Sequence, residues 1–384
     1  MSPMARKEYL EGMRRRYRKA RSRKEKAQLL DEICATCGFH RKHALRALRQ
    51  TWWTTTKTDG KRGPKAAYAD KAVVRPIKII WLKANLPCSK RLKATLPLWL
   101  RGYELEFGEL SAEVRQKLLT VSASTLDRLL KAARREHSGR GRTTTKPGTF
   151  LRNMIPIKTG QWDESRPGFV EADTVSHCGT TTAGQYACTL DCVDIATGWT
   201  EQRAVWAKKD QDVVEQMQSI EMALPFDVLG FDSDNGSEFL NHLLFRHFID
   251  RPKPVHFTRS RAYKKNDNAH IEQKNWTHVR QWLGYDRLDK PEVIPLMNDL
   301  YENEWRLFHN FYCPSVKLVS KERVGSKTIK KHDKPKTPYQ RVLESKQISD
   351  YAKKGLQHIF DNTNPFHLER RIREKLESIF AVMK

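Results

Sequence analysis

Charge is segregated along this chain, and that limits what each part can do more than any single motif does. Residues 1–150 hold 36 basic and 13 acidic side chains, residues 151–312 hold 18 and 24, and residues 313–384 hold 17 and 8. A basic head and a basic tail therefore flank an acidic middle, and the formal charge over 384 residues is +26. Such an excess points to a polyanionic partner, because Lys and Arg beside a phosphate backbone release its condensed counterions. The acidic middle cannot be held to a polyanion by charge alone, so its carboxylates ask for another purpose, and bound divalent cations supply one. With 39% hydrophobic residues the chain lies outside the disordered class, and its length suggests two or three domains. No stretch approaches the roughly 18 uninterrupted apolar residues of a membrane span. The most apolar run, Val73–Leu82, is broken by Arg75, Pro76 and Lys78. The first residues carry charge but no apolar stretch of the secretory kind. Seven scattered cysteines read as reduced thiols, so an intracellular chain with no membrane partner is expected, cytoplasmic or nucleoid-associated in a bacterium.

Two breaker-rich segments divide the chain. Thr54–Lys65 separates two helical units, and His137–Phe150 is a linker with three glycines, a proline and no aliphatic side chain. The expected organisation is an N-terminal helix-turn-helix over 1–55, a second helical DNA-binding domain over 65–136, a linker over 137–159, a catalytic core over 160–312 and a basic C-terminal tail over 313–384. In the head, Leu29, Leu30 and Ile33 recur at helical spacing, Gly38 supplies a turn, and a second helix carries Ala44, Leu45 and Leu48 inward with Arg41, Lys42 and Arg46 outward. The pattern repeats near residues 111–135: Ser122 or Ser124 caps a helix that buries Leu126, Leu129 and Leu130 and presents Arg128 and Lys131. Arg140 and Arg142, each beside a linker glycine, are candidate minor-groove contacts. Cys34 and Cys37 with His40 and His43 do not make a zinc site, because only Gly38 and Phe39 separate the two pairs.

The acidic middle reads as a mixed sheet. Phe169–Val175, Tyr186–Ile195 and Trp199–Trp206 form an antiparallel meander, Asp210–Leu224 a helix, Val228–Phe231 a strand, and Phe239–Phe248 a helix. A short strand at Pro254–Thr258 and a helix over Asn268–Leu283 follow. Asp173 falls near a strand end, Ser233-Asp234-Asn235-Gly236 follows a central strand, and Glu272 lies on a helix 38 positions after Asp234. This pattern resembles the DDE motif of retroviral integrases and of integrase-like insertion-sequence transposases. Arg261–Asn268 and Ile271-Glu272-Gln273-Lys274-Asn275 are similar to the transposase members in particular.

The resemblance implies an α/β, RNase H-like core, a mixed five-stranded sheet flanked by helices, preceded by all-α helix-turn-helix domains. It implies a DNA transposase that binds the ends of its element as a homo-oligomer on double-stranded DNA, cleaves at the 3′ ends and joins them to target DNA. Asp173, Asp234 and Glu272 would be both catalytic residues and metal ligands, holding two Mg2+ ions that Mn2+ can replace. Two such ions activate the attacking oxygen and stabilise the leaving one, and hard carboxylate oxygens suit them. Asp232, two residues before Asp234, is the rival for the second position. Lys264, Lys265 and Lys274 are expected at DNA phosphates, and His177 as a hydrogen-bonded, partly buried histidine. The tail, basic and breaker-rich over 315–336 and helical from Pro338 and again over 368–383, is expected to contact DNA or a partner subunit. The competing readings are a DNA-binding regulator on an inactivated core and a structure-specific nuclease.

Overall fold

The computed structural model describes residues 1, 3–49, 68–136, 165–233, 239, 241–259, 269–324 and 327–384. They fall into two compact units, Met1–Ala66 and Ala67–Lys384. The first is a three-helix unit of α1 (Pro3–Lys19), α2 (Arg23–Cys37) and α3 (Arg41–Arg49). Ser22 and Glu25 form a reciprocal capping box that starts α2. Gly38 ends it in the left-handed region (φ 68°) and donates its amide to the Cys34 carbonyl. Met13, Leu29, Leu30, Ile33, Ala44 and Leu48 form the core, with Cys34 and Cys37 packed against it. The two cysteines are thus small wall-fillers, while His40 and His43 are exposed. The expected pair α2–α3 is present, and α1 is an additional wall.

The second unit begins with α4 (Lys71–Lys83), α5 (Ser89–Phe107), α6 (Ala112–Thr120) and α7 (Ala123–Glu136). Ser122 accepts from the Thr125 amide at 3.1 Å and so caps α7. The sheet follows: β1 (Phe169–Ser176), β2 (Ala187–Asp194), β3 (Thr200–Trp206), α8 (Asp210–Ala223), β4 (Gly230–Ser233), α9 (His242–Ile249) and β5 (His256–Arg259). Its order is β3-β2-β1-β4-β5, antiparallel through β1–β3 and parallel from β1 to β4 to β5. This is the mixed five-stranded sheet, flanked by helices, of an RNase H-like core. Then come α10 (Ala269–Lys274), a π-helical segment (Asn275–Arg280) and α11 (Gln281–Leu283), followed by α12 (Val293–Leu300), a second π-helical segment (Tyr301–Trp305) and α13 (Arg306–Tyr312). The remaining elements are β6 (Leu318–Val324), β7 (Lys327–His332), α14 (Pro338–Glu344), α15 (Asp350–Asp361) and α16 (Pro365–Val382).

Strand alternation sends Val170 and Ala172 of β1 to one face, where they pack with Phe231, Val213, Met217, Phe239 and Phe248. Glu171, Asp173 and Val175 point the other way, toward the helices from α10 onward. That second core is continuous with α4–α7 and α14–α16. Trp99 of α5 is fully buried, donates to the Tyr312 carbonyl at 3.3 Å and meets Phe308, Tyr312 and Phe366 edge-on. At Gly102 a Cβ would lie 2.7 Å from Asn364 Oδ1, so glycine lets α5 approach the start of α16. Residues 68–136 and the tail helices are therefore walls of the second unit's core, and α16 spends its apolar face inside its own chain. No helix among the described residues is long and apolar enough to cross a membrane.

Candidate active site

The site is built where β1 meets α10. Glu171 is buried, and its Oε2 accepts the Ile271 amide at 3.3 Å, a carboxylate at a helix start where the helix dipole favours negative charge. Two residues on, Asp173 is half-buried; its Oδ1 accepts the Thr174 amide at 2.7 Å and its Oδ2 accepts Asn275 Nδ2 at 2.6 Å. The helix thus runs along β1 in register, touching it at 171 and again at 173. Glu272, exposed in the first turn of α10, precedes Asn275 by three positions and so shares its helix face. Asp173 and Glu272 are brought to the same side of the sheet. Asn275, which no motif role singles out, orients the Asp173 carboxylate.

Asp234 lies outside the described residues, as do Arg140, Arg142, Lys264 and Lys265. Its rival Asp232 is completely buried, pairs in register with Glu171 and accepts from Thr258 Oγ1 at 2.6 Å. Among the described residues no three His, Cys, Asp or Glu side chains converge on one point. The carboxylates that are described, one half-buried and oriented by an amide, one exposed, are the hard oxygen donors Mg2+ takes.

Behind Asp173 the polar groups are sealed. Asp191 faces it across the β1–β2 ladder, is fully buried and accepts from Gln202 Nε2 at 2.7 Å; burial pushes its pKa up to about 7, against the pull of Gln202 and Lys274. Lys274 corrects an expectation. Its side chain turns inward, only 7% exposed, and its Nζ donates to the Gly198 carbonyl at 3.3 Å and lies 3.3 Å from His278 Nε2. Burial lowers its pKa to about 8, so this lysine secures the β2–β3 turn to α10 instead of presenting charge to solvent. His278 stacks on His309 with ring centres 4.0 Å apart, and desolvation keeps both imidazoles neutral. His177 is fully buried, bonded to Thr189 Oγ1 at 2.8 Å, and burial with Arg280 nearby depresses its pKa to about 3. Asp194 accepts the Gly168 and Thr197 amides and the Thr197 hydroxyl, which fixes the β2–β3 turn.

The basic positions on the helices are exposed: Arg41, Lys42 and Arg46 on α3, and Arg128 and Lys131 on α7. Arg41 pairs with Asp31 of α2, and Arg128 donates to Thr125 at 3.1 Å.

No protein-family model matches the chain. Among solved structures, the catalytic core domain of BIV integrase is similar at 14% identity and TM-score 0.27, covering 46% of this chain and 94% of that one. A simian T-cell lymphotropic virus intasome, in complex with PP2A regulatory subunit B56 gamma, matches at 11% identity and TM-score 0.33, covering 65% and 77%. A curated relative is far nearer in sequence: the uncharacterized protein y4rM of Sinorhizobium fredii (strain NBRC 101917 / NGR234) is 37% identical over 343 residues, 89% of this chain and 96% of its own length. At that identity and coverage, the chain belongs to the same family as y4rM.

Proposed function

We propose that the protein is a DDE-type transposase that binds the ends of its mobile element, cleaves at the 3′ ends and joins them to target DNA. The observation that carries this reading is the Asn275–Asp173 bond, which sets the helix bearing Glu272 along the strand bearing Asp173. In this reading Asp173, Asp234 and Glu272 hold two Mg2+ ions, which supply charge stabilisation for the attacking and leaving oxygens of a phosphodiester. Asp173 Oδ2 is kept on that side by Asn275. Lys264 and Lys265 approach the DNA phosphates, with Arg41, Lys42, Arg46, Arg128, Lys131, Arg140 and Arg142 holding the duplex. Two chains on two element ends would give the homo-oligomer that paired joining requires.

The test is strand transfer with DNA carrying the element's terminal repeats, in Mg2+ or Mn2+. Asp173→Asn, Asp234→Asn and Glu272→Gln should each lower product formation by roughly 10³-fold or more, since each removes an anionic ligand at near-constant volume, while duplex binding persists. Full joining by Asp173→Asn sinks the reading. Loss in Asp232→Asn with activity kept in Asp234→Asn moves the second position to Asp232. Asn275→Ala should raise the metal concentration for half-maximal rate about 10-fold, because it releases the carboxylate it orients.

A further inference from the structure

Among the described residues, strands β6 and β7 pair only with each other, forming a two-stranded ribbon separate from the main sheet. Its base is fixed. Ser315 and Lys336 exchange backbone hydrogen bonds at 2.9 and 3.1 Å, the Lys317 amide donates to Asp333 Oδ1 at 2.7 Å, and Arg341 grips both Asp333 and the Ser315 carbonyl. Lys317 Nζ also donates to the Ala196 carbonyl at 2.7 Å. Ala196 begins the same β2–β3 turn whose Gly198 carbonyl Lys274 holds from α10. The base of the ribbon and the helix carrying Glu272 thus clasp one turn.

Beyond the base the chemistry changes. Residues 318–332 contain five Lys or Arg and a single acid, Glu322. The backbone register sets Lys321 opposite Lys330 and Arg323 opposite Thr328. Like charges across a ladder destabilise it, and a lone two-stranded ribbon is marginal in water. Lys330 and Lys331 are exposed and make no ion pair among the described residues. Val319 and Ile329 are 69% and 47% exposed, although neither has a core to reach. A fixed mount that holds out a basic, partly apolar ribbon is complementary to a polyanion.

We propose that this ribbon lies in the major groove of duplex DNA held by the same chain, a contact that rests on the DNA-processing reading above and adds a surface to it. The fit is one of size and charge. Two strands about 4.8 Å apart enter a groove about 12 Å wide. The lysines meet phosphates on the groove walls, and the exposed Ile329 offers apolar contact to a thymine methyl on its floor.

The experiment uses the full chain and a duplex of random sequence, with binding measured over a range of salt. Lys330→Glu with Lys331→Glu should weaken binding at least 10-fold and flatten the log K against log salt slope by about 1.8, two phosphates at roughly 0.9 each. A control of equal charge change, Lys346→Glu with Lys354→Glu, should cost less than a third of that in log affinity. Both variants are checked for unchanged thermal unfolding. If the ribbon variant loses no more than the control, or if the wild type does not bind duplex DNA, the proposal is overturned. Duplexes with bulky groups on pyrimidine C5, which project into the major groove, should weaken the wild type several-fold and the ribbon variant little; equal weakening of both overturns the groove assignment. Failure of the ribbon with catalysis intact leaves the active-site reading standing. A ribbon effect with full joining by Asp173→Asn leaves the ribbon and removes the catalytic reading.

Discussion

The helical pairs α2–α3 and α6–α7 look alike in sequence, and the molecule uses them differently. Each pair has a short turn, an apolar inner face and a basic outer face. The first closes on α1 around six buried side chains, a unit with its own core. The second has little core of its own: Leu118, Leu126 and Leu130 join a cluster that runs through Trp99 to Trp305 and Ile379. The same local pattern therefore yields a separable module in one place and a wall of the larger unit in the other. What decides is the apolar content between the basic positions, since α4 and α5 bury far more than their partners need and must be covered by something.

The contrast predicts two unfolding transitions, and substitutions can assign them. Trp99→Ala should cost about 3–5 kcal/mol in the second unit, through the cavity left among Phe308, Tyr312 and Phe366, and leave the first transition unmoved. A shift of both transitions in calorimetry would show that the first unit does not fold on its own. Ile33→Ala should lower the first transition by about 2–4 kcal/mol and spare the second, including any strand-transfer activity of the unit once bound to DNA.

Acid should separate them as well. His177 has a folded pKa near 3 against an ordinary 6.5, so its contribution is full above 6.5 and is lost as pH falls toward 3. The stability difference between wild type and His177→Gln in the second transition should shrink by about 2 kcal/mol from pH 6.5 to pH 5. A flat difference for His177→Gln would mean that the imidazole is reached by water. The smallest effect is Ser22→Ala, which removes the cap of α2 and should lower only the first transition by about 1 kcal/mol.

Much of the sheet was legible because period-two alternation survives wherever one face meets α8 and α9. The expected strands around 169–175, 186–195 and 199–206 differ from β1, β2 and β3 by one residue or so at each end. The strand read as 228–231 runs instead over 230–233, because Asp232 is buried by Thr258 and not left at a strand end. Other elements were hidden for identifiable reasons. Prolines 76 and 97 lie inside α4 and α5, where a lone helix would break; burial of Val73, Ile77, Ile80 and Trp81 on one side, and of Leu92, Leu96 and Trp99 on the other, outweighs the lost hydrogen bonds. The basic stretch 318–332 carries no apolar alternation, so its strands are visible only through backbone pairing. Within the site, Asp173 and Glu272 stood out by motif. Asn275 did not, although its position three residues after Glu272 was signal enough to place it on that face. Lys274 misled because lysine is almost always solvated, and nothing local announces a carbonyl such as that of Gly198 waiting behind the helix.

The placement of α16 has a consequence for how the chain becomes a protein. Lys83, on the first helix of the second unit, reaches Glu369, fully buried on α16, across 286 positions of sequence. The core opened by α4 and α5 therefore stays uncovered until the helix at 365–382 has been synthesised, and its aromatic wall around Trp99 is exposed throughout elongation. Non-local closure of this kind is slow and leaves intermediates prone to aggregate. The first unit, complete after α3, suffers no such delay. A chain interrupted anywhere between α10 and α16 would carry Asp173, Asp234 and Glu272 and still have no closed core to hold them, so the cell would meet it as a sticky intermediate.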